Sequence, residues 1–127
     1  MAQNRIYAVE IAETSRELSA KERIALKDTT SATRLDEATA VEAVVIYPEA
    51  WAVLNVHNEK ADGKEYNLYI LLDKNGEKFV TGSQSFWNTF MDIYTEMAGE
   101  TEEWGIKAYR MDSKNYKGKQ FITCAIV

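Results

Sequence analysis

One cysteine, one histidine and one proline occur among the 127 residues, and each scarcity excludes something. Cys124 alone cannot form an intramolecular disulfide, which fits a reducing, cytoplasmic compartment. With His57 as the only histidine, no spaced His/Cys set suggests zinc. No run of about 18 apolar residues is present, so no transmembrane helix and no membrane partner are expected. The start, Met1-Ala-Gln-Asn-Arg5, lacks the apolar stretch of a signal peptide. Neither the phosphate-loop pattern nor the dinucleotide fingerprint occurs, and Asp62-Gly is too short a match to propose a calcium loop. Glu96, Glu100, Glu102 and Glu103 could supply a metal or acid–base pair, yet they read better as a solvated helix end. No catalytic residue, metal or cofactor is therefore expected.

What is present points to a folded β-rich chain: 46 % apolar residues, seven tyrosines, four phenylalanines and three tryptophans. One domain is expected at this length. Residues 1–39 read as an N-terminal extension. Ile6, Val9 and Ile11 suit a short strand or arm. Ser19-Ala-Lys-Glu22 has the capping-box pattern and opens a brief helix through about Lys27. Residues 28–33 read as a loop. The extension is either packed on the body or an arm that covers a strand or binds a partner.

From residue 40 the pattern turns to β. Val41 and Val44–Tyr47 make a strand that Pro48 interrupts, because proline cannot donate to a ladder. Trp51–Val56 resumes it, as one long bent strand or as two. Residues 58–64 form a polar loop and Tyr66–Leu72 a second strand. Asp73-Lys-Asn-Gly76 is a tight-turn signal, and Lys78–Gly82 is a third strand. Phe86, Phe90, Ile93, Tyr94 and Met97 form one helical stripe, capped by Ser83 or Ser85 and ended at Gly99. Trp104–Met111 and Lys119–Val127, either side of a polar turn, read as a final hairpin. The order strand, strand, strand, helix, strand, strand is that of a five-stranded OB-fold-like barrel. Its ligand loops would fall near residues 58–64 and 112–118.

The second of those loops is also the basic one. Lys107, Arg110, Lys114, Lys117 and Lys119 stand there against one acid, Asp112, with Tyr109, Tyr116 and Phe121 interleaved. Cations meet phosphates and rings stack on unpaired bases, so the pattern suits a single-stranded nucleic acid. The net charge of −5 argues the other way, although a basic strip can coexist with an acidic body. Strand parity puts Trp104, Ile106 and Ala108 inward and Lys107 and Tyr109 outward. It likewise puts Ile122, Cys124 and Ile126 inward, with Phe121 and Thr123 opposite. Tyr69 and Phe79 are further candidate stacking rings. Trp51 reads equally as a barrel plug or a ring for a base, Trp87 and Trp104 as core or interface. Arg110 could instead pair with Glu102 or Glu103.

Four blocks carry a resemblance: Leu35-Asp-Glu-Ala38, Val56-His-Asn-Glu-Lys60, the run Asp73 to Ser83, and the run Tyr109 to Lys119. On these the chain resembles the single-stranded DNA-binding proteins of phages and prophages of Gram-positive bacteria. The resemblance implies an OB fold that coats single strands without sequence specificity during phage DNA replication or recombination. It implies Phe79, and less directly Tyr47 or Trp51, as binding-face aromatics. Phage replication or recombination proteins and further copies of the chain are the protein partners it allows. The acidic, glycine-rich tail of the cellular bacterial proteins is not matched, since the sequence ends within a strand pattern at Val127. Two rival readings remain: a protein-interaction module on the same barrel with no nucleic-acid ligand, and a small enzyme using the glutamates near the helix end.

Overall fold

The computed structural model describes residues 7–60 and 65–127. Ile6 and positions 61–64 of the polar loop, Asp62 included, lie outside the described residues. The elements in chain order are β1 (Tyr7–Thr14), α1 (Ala20–Lys27), β2 (Thr33–Arg34), α2 (Leu35–Val41) and β3 (Val44–Ile46). They continue as β4 (Pro48–Asn58), β5 (Glu65–Asp73), β6 (Lys78–Thr81), α3 (Gln84–Met97), β7 (Ile106–Asp112) and β8 (Gln120–Ile126). The protein is mainly β, with two sheets: five strands in the order β1-β4-β5-β6-β2 and three in the order β3-β7-β8.

Pro48 explains the division between β3 and β4. It has no N–H to give a ladder, and the pairing of β4 with β5 is irregular between Pro48 and Ala50. The chain changes sheets there, β3 pairing with β7 and β4 with β5. The Asp73 carboxylate holds the bend, accepting from the backbone N–H of Tyr47 at 2.9 Å and of Asn75 at 2.7 Å. Gly76 completes that turn at φ 86°, a left-handed conformation open to glycine without a side-chain clash.

The main core lies between the inner faces of the two sheets and α3. Ser83 caps α3 by accepting from the Phe86 N–H, and the stripe Phe86, Trp87 and Phe90 is buried. It packs on Trp51, Val53, Tyr69, Leu71 and Phe79 of the larger sheet and on Ile46, Ile106, Ala108, Ile122 and Cys124 of the smaller. A second cluster fills the other side of the larger sheet. There Leu18 and Leu26 of the N-terminal segment cover Ala52, Leu54, Ile70 and Val80. The capping box at Ser19 and Glu22 starts α1 as the sequence predicts. Lys78 then anchors its end, donating to the carbonyls of Ala25 and Asp28 at 2.6 and 2.8 Å. The extension is thus a packed cover. β1 adds to it by pairing with β4 along the edge of the sheet.

Two expectations are corrected here. Leu35–Val41 is helical, whereas Val41 was expected to open a strand. The strands also do not close into a barrel among the described residues. The free edge of β6, which would close it, is taken by β2, with Thr33 opposite Phe79 and Arg34 opposite Val80. α2 instead bridges the sheets, bonded to β6 of one and to β7 of the other. Thr81 of β6 donates to the Asp36 carboxylate at 2.7 Å, and Arg110 of β7 donates to the Asp36 carbonyl and, at 3.3 Å, to the Thr39 hydroxyl. Among the described residues no helix is long and apolar enough to cross a membrane.

Candidate nucleic-acid interface

The β7–β8 hairpin is the long-range organiser of the predicted site. Its register sets Lys107 opposite Ala125, Tyr109 opposite Thr123 and Met111 opposite Phe121, with Val45 of β3 opposite Lys107. These residues share the outer face of the three-stranded sheet, since Ile106, Ala108, Ile122 and Cys124 take the inner one. Lys107 and Phe121 are exposed and Tyr109 is half-buried, in line with the parity expected. Thr123, also on the outer parity, is covered, being a short side chain directly opposite Tyr109. The Lys107 ammonium lies 5.7 Å from the centre of the Tyr109 ring, within cation–π range.

The turn beyond is fixed by its own bonds. The N–H of Ser113 donates to the Lys119 carbonyl at 2.9 Å, and that of Lys119 to the Tyr116 carbonyl at 3.1 Å. Gly118 supplies φ 80°. The result presents Lys114, Tyr116, Lys117 and Lys119 to solvent, with Tyr116 67 % exposed. Among the described residues none of these lysines, nor Lys107, is in an ion pair. Asp112, the one acid in residues 104–127, shares the inner parity and accepts from the Gln120 side chain at 3.1 Å. The outer face consequently carries no carboxylate. Residues 104–127 hold five cations and one acid, a net of +4, while residues 1–103 hold ten cations and nineteen acids, a net of −9. A positive strip stands on a negative body.

Four of the residues singled out from the sequence are not part of this surface. Trp51, Tyr69 and Phe79 are 5 %, 4 % and 4 % exposed. They face inward, where α3 covers them: the Trp87 ring stacks on Tyr69 at 4.7 Å and meets Trp51 edge-on at 5.4 Å. No base can reach those rings. Phe79 and Thr81 share the inner face of β6, and Val80 on the opposite face lies under α1. Arg110 is the fourth. It stands on the same side of β7 as Ala108, and its guanidinium is spent on α2 rather than on Glu102 or Glu103. Glu103 instead lies 3.4 Å from Lys74. Tyr47, the less direct match, is 39 % exposed, but at the bend rather than on the hairpin. Trp104 is half-buried against the core and packs on Tyr94.

Two surface residues were missed. Met111, 43 % exposed, continues the alternation of Lys107 and Tyr109 and could have been read from it. Val45, 49 % exposed, joins the face only through its register with β7, which no local pattern encodes.

The other chemistry of the chain is sparse. Burial pushes the Cys124 thiol up to about 12, so it is neither an ionised nucleophile nor a ligand near neutral pH. His57 lies between Glu59 at 2.9 Å and Glu65 at 3.4 Å, and among the described residues no group of three His, Cys, Asp or Glu could hold a metal ion. An open hollow of about 660 Å³ between the 29–33 loop and α2 has Arg34 and Glu37 among its lining residues. Comparison with protein-family models, with curated proteins and with solved structures gives no match.

Proposed function

We propose that the protein binds single-stranded DNA without sequence specificity, through the outer face and turn of the β7–β8 hairpin. The observation that carries this reading is the carboxylate-free face of Lys107, Tyr109 and Phe121, continued by the unpaired lysines of the turn. Rings at this spacing offer stacking surfaces that every base can use, and the ammonium groups offer charge to a phosphate chain. Indifference to sequence follows from the side chains present. The planar bidentate readers of base edges, Arg, Asn and Gln, and the acceptors Asp and Glu do not stand on the outer face of the three strands, where Lys107 and the covered Thr123 are the polar side chains besides the Tyr109 hydroxyl.

We infer further that the chain is an open variant of the OB fold. In its support, β3–β4 acts as one bent first strand, followed by β5, β6, α3, β7 and β8, with β3 against β7 and β4 against β5. β1, α1, β2 and α2 are additions to that order. A role in coating single strands during phage DNA replication or recombination extends the sequence resemblance, and partners in that process belong to the same proposal.

The test is binding to a fluorescent oligothymidine across a salt series. Four phosphate contacts, from Lys107, Lys114, Lys117 and Lys119, give a slope of log affinity on log salt of about −3. Changing all four lysines to Gln removes most of that slope, whereas changing Lys21, Lys27, Lys60 and Lys74 leaves it intact. No retention of the oligomer at low salt, or equal effects of the two sets, would overturn the reading.

A further inference from the structure

Two features of the molecule together specify the path of the strand. The first is an exclusion. The outer face of β4, β5 and β6 is filled by Leu18 and Leu26 over Leu54, Ile70 and Val80, and Lys78 ties down the end of α1 through the carbonyls of Ala25 and Asp28. A strand cannot reach that part of the larger sheet while the cover is in place. The second is the placement of charge along the hairpin. Lys107 marks its base and Lys119 its tip, with Tyr109 and Phe121 in successive rows between them. Asp112 pairs with Gln120, so Lys119 stands level with residue 113, six residues along β7 from Lys107.

We propose that the single strand runs lengthwise along the β7–β8 ribbon, parallel to its strands, and that the footprint of one protomer is at most about six nucleotides. This deepens the nucleic-acid reading above and rests on it. Six residues at about 3.3 Å each separate the two ends by roughly 20 Å. A strand stacked as in B-DNA covers that distance in about six nucleotides at ~3.4 Å each, and a stretched strand covers it in fewer. Such a track lies near the short end of the roughly 4–16 nucleotides that a single OB fold engages. It takes two bases on Tyr109 and Phe121, leaves Tyr116 at the tip for a third, and meets phosphates at both ends.

The experiment measures affinity and stoichiometry for oligothymidines of increasing length, with the unaltered chain and with Lys107→Gln, Lys119→Gln and the double variant. Affinity is expected to climb steeply up to about six nucleotides and then to rise only with the number of available registers. On strands that span both ends, the effects of the two single changes multiply; on a dinucleotide, which reaches one end at a time, they do not. Affinity that keeps climbing steeply in a one-to-one complex well beyond that length would overturn the lengthwise track while leaving single-strand binding in place. So would loss confined to Lys119→Gln. If strands of every length fail to bind, the parent reading falls and the track falls with it.

Discussion

Phe79→Ala and Phe121→Ala separate the core from the interface, because the two rings were expected to do the same work and the fold gives them different work. Phe79 is 4 % exposed on β6, paired between Leu71 and Thr33 and packed into the main core. Deleting a buried Phe ring removes its transfer free energy and leaves a cavity, a loss of about 3–5 kcal/mol. That is a fifth or more of the roughly 5–15 kcal/mol that holds a domain together. Phe121 is 37 % exposed and stands opposite Met111 across the ladder. A cross-strand pair of this kind contributes about 0.2–1 kcal/mol, so Phe121→Ala leaves stability nearly unchanged. Its effect falls on binding, where loss of one stacked base costs about 1–3 kcal/mol, roughly a 5- to 150-fold drop in affinity. Urea denaturation and oligothymidine anisotropy on the same samples read both quantities. Phe79→Ala should move the urea midpoint strongly and leave the affinity of its folded fraction near that of the unaltered chain. The reasoning fails if Phe121→Ala matches Phe79→Ala in stability loss, or if it binds the oligomer as tightly as the unaltered chain.

Two further predictions concern the elements around that face. Arg110→Ala deprives the Asp36 carbonyl and the Thr39 hydroxyl of a charged donor, so it should lower stability by about 1–3 kcal/mol without changing the salt slope of binding. A flatter slope with unchanged stability would show Arg110 on a phosphate after all. Glu22 is held down to about 2, chiefly by its bond to Arg16 and then by the Ser19 N–H. Its folded value lies below the unfolded one, so its contribution to α1 is present above the ordinary carboxylate range near 4.5 and fades as pH falls toward about 2. Hydrogen exchange of the α1 amides, corrected for intrinsic rates, should accelerate across that window relative to α3; equal acceleration of both would contradict it.

How much of this was legible from residues alone depends on how local each signal is. The β7–β8 hairpin, the turn at Asp73–Gly76 and the capped stripe of α3 were readable because alternation, an Asn-Gly pair and a Ser cap are short-range features. Strand parity correctly grouped Lys107 with Tyr109 and Ile122 with Cys124. What parity cannot say is which of two faces points inward. In β4, Trp51–Leu54 are all buried, since α3 covers one side and α1 the other, so the alternation that marks an exposed face has no amplitude. The error at Trp51, Tyr69 and Phe79 follows from that. Arg110 was different: its place on the side of Ala108 was implicit in the alternation, and only its charge suggested otherwise. α2 was missed because it is seven residues long and Arg34 gives it no side-chain cap. The covering of the β6 edge by β2 depends on a two-residue parallel pairing across more than forty positions, which no window of sequence contains.

The central claim is a location: a positive, ring-bearing face on one hairpin of an otherwise acidic protein. Amide chemical shifts recorded while the labelled chain is titrated with a short oligothymidine test it most directly. The account predicts that the largest changes cluster at Val45, Lys107, Tyr109, Met111, Phe121 and the turn from Ser113 to Lys119, with α1 and the inner strands silent. Changes centred on α1 and β5, or scattered evenly over both sheets, would contradict it.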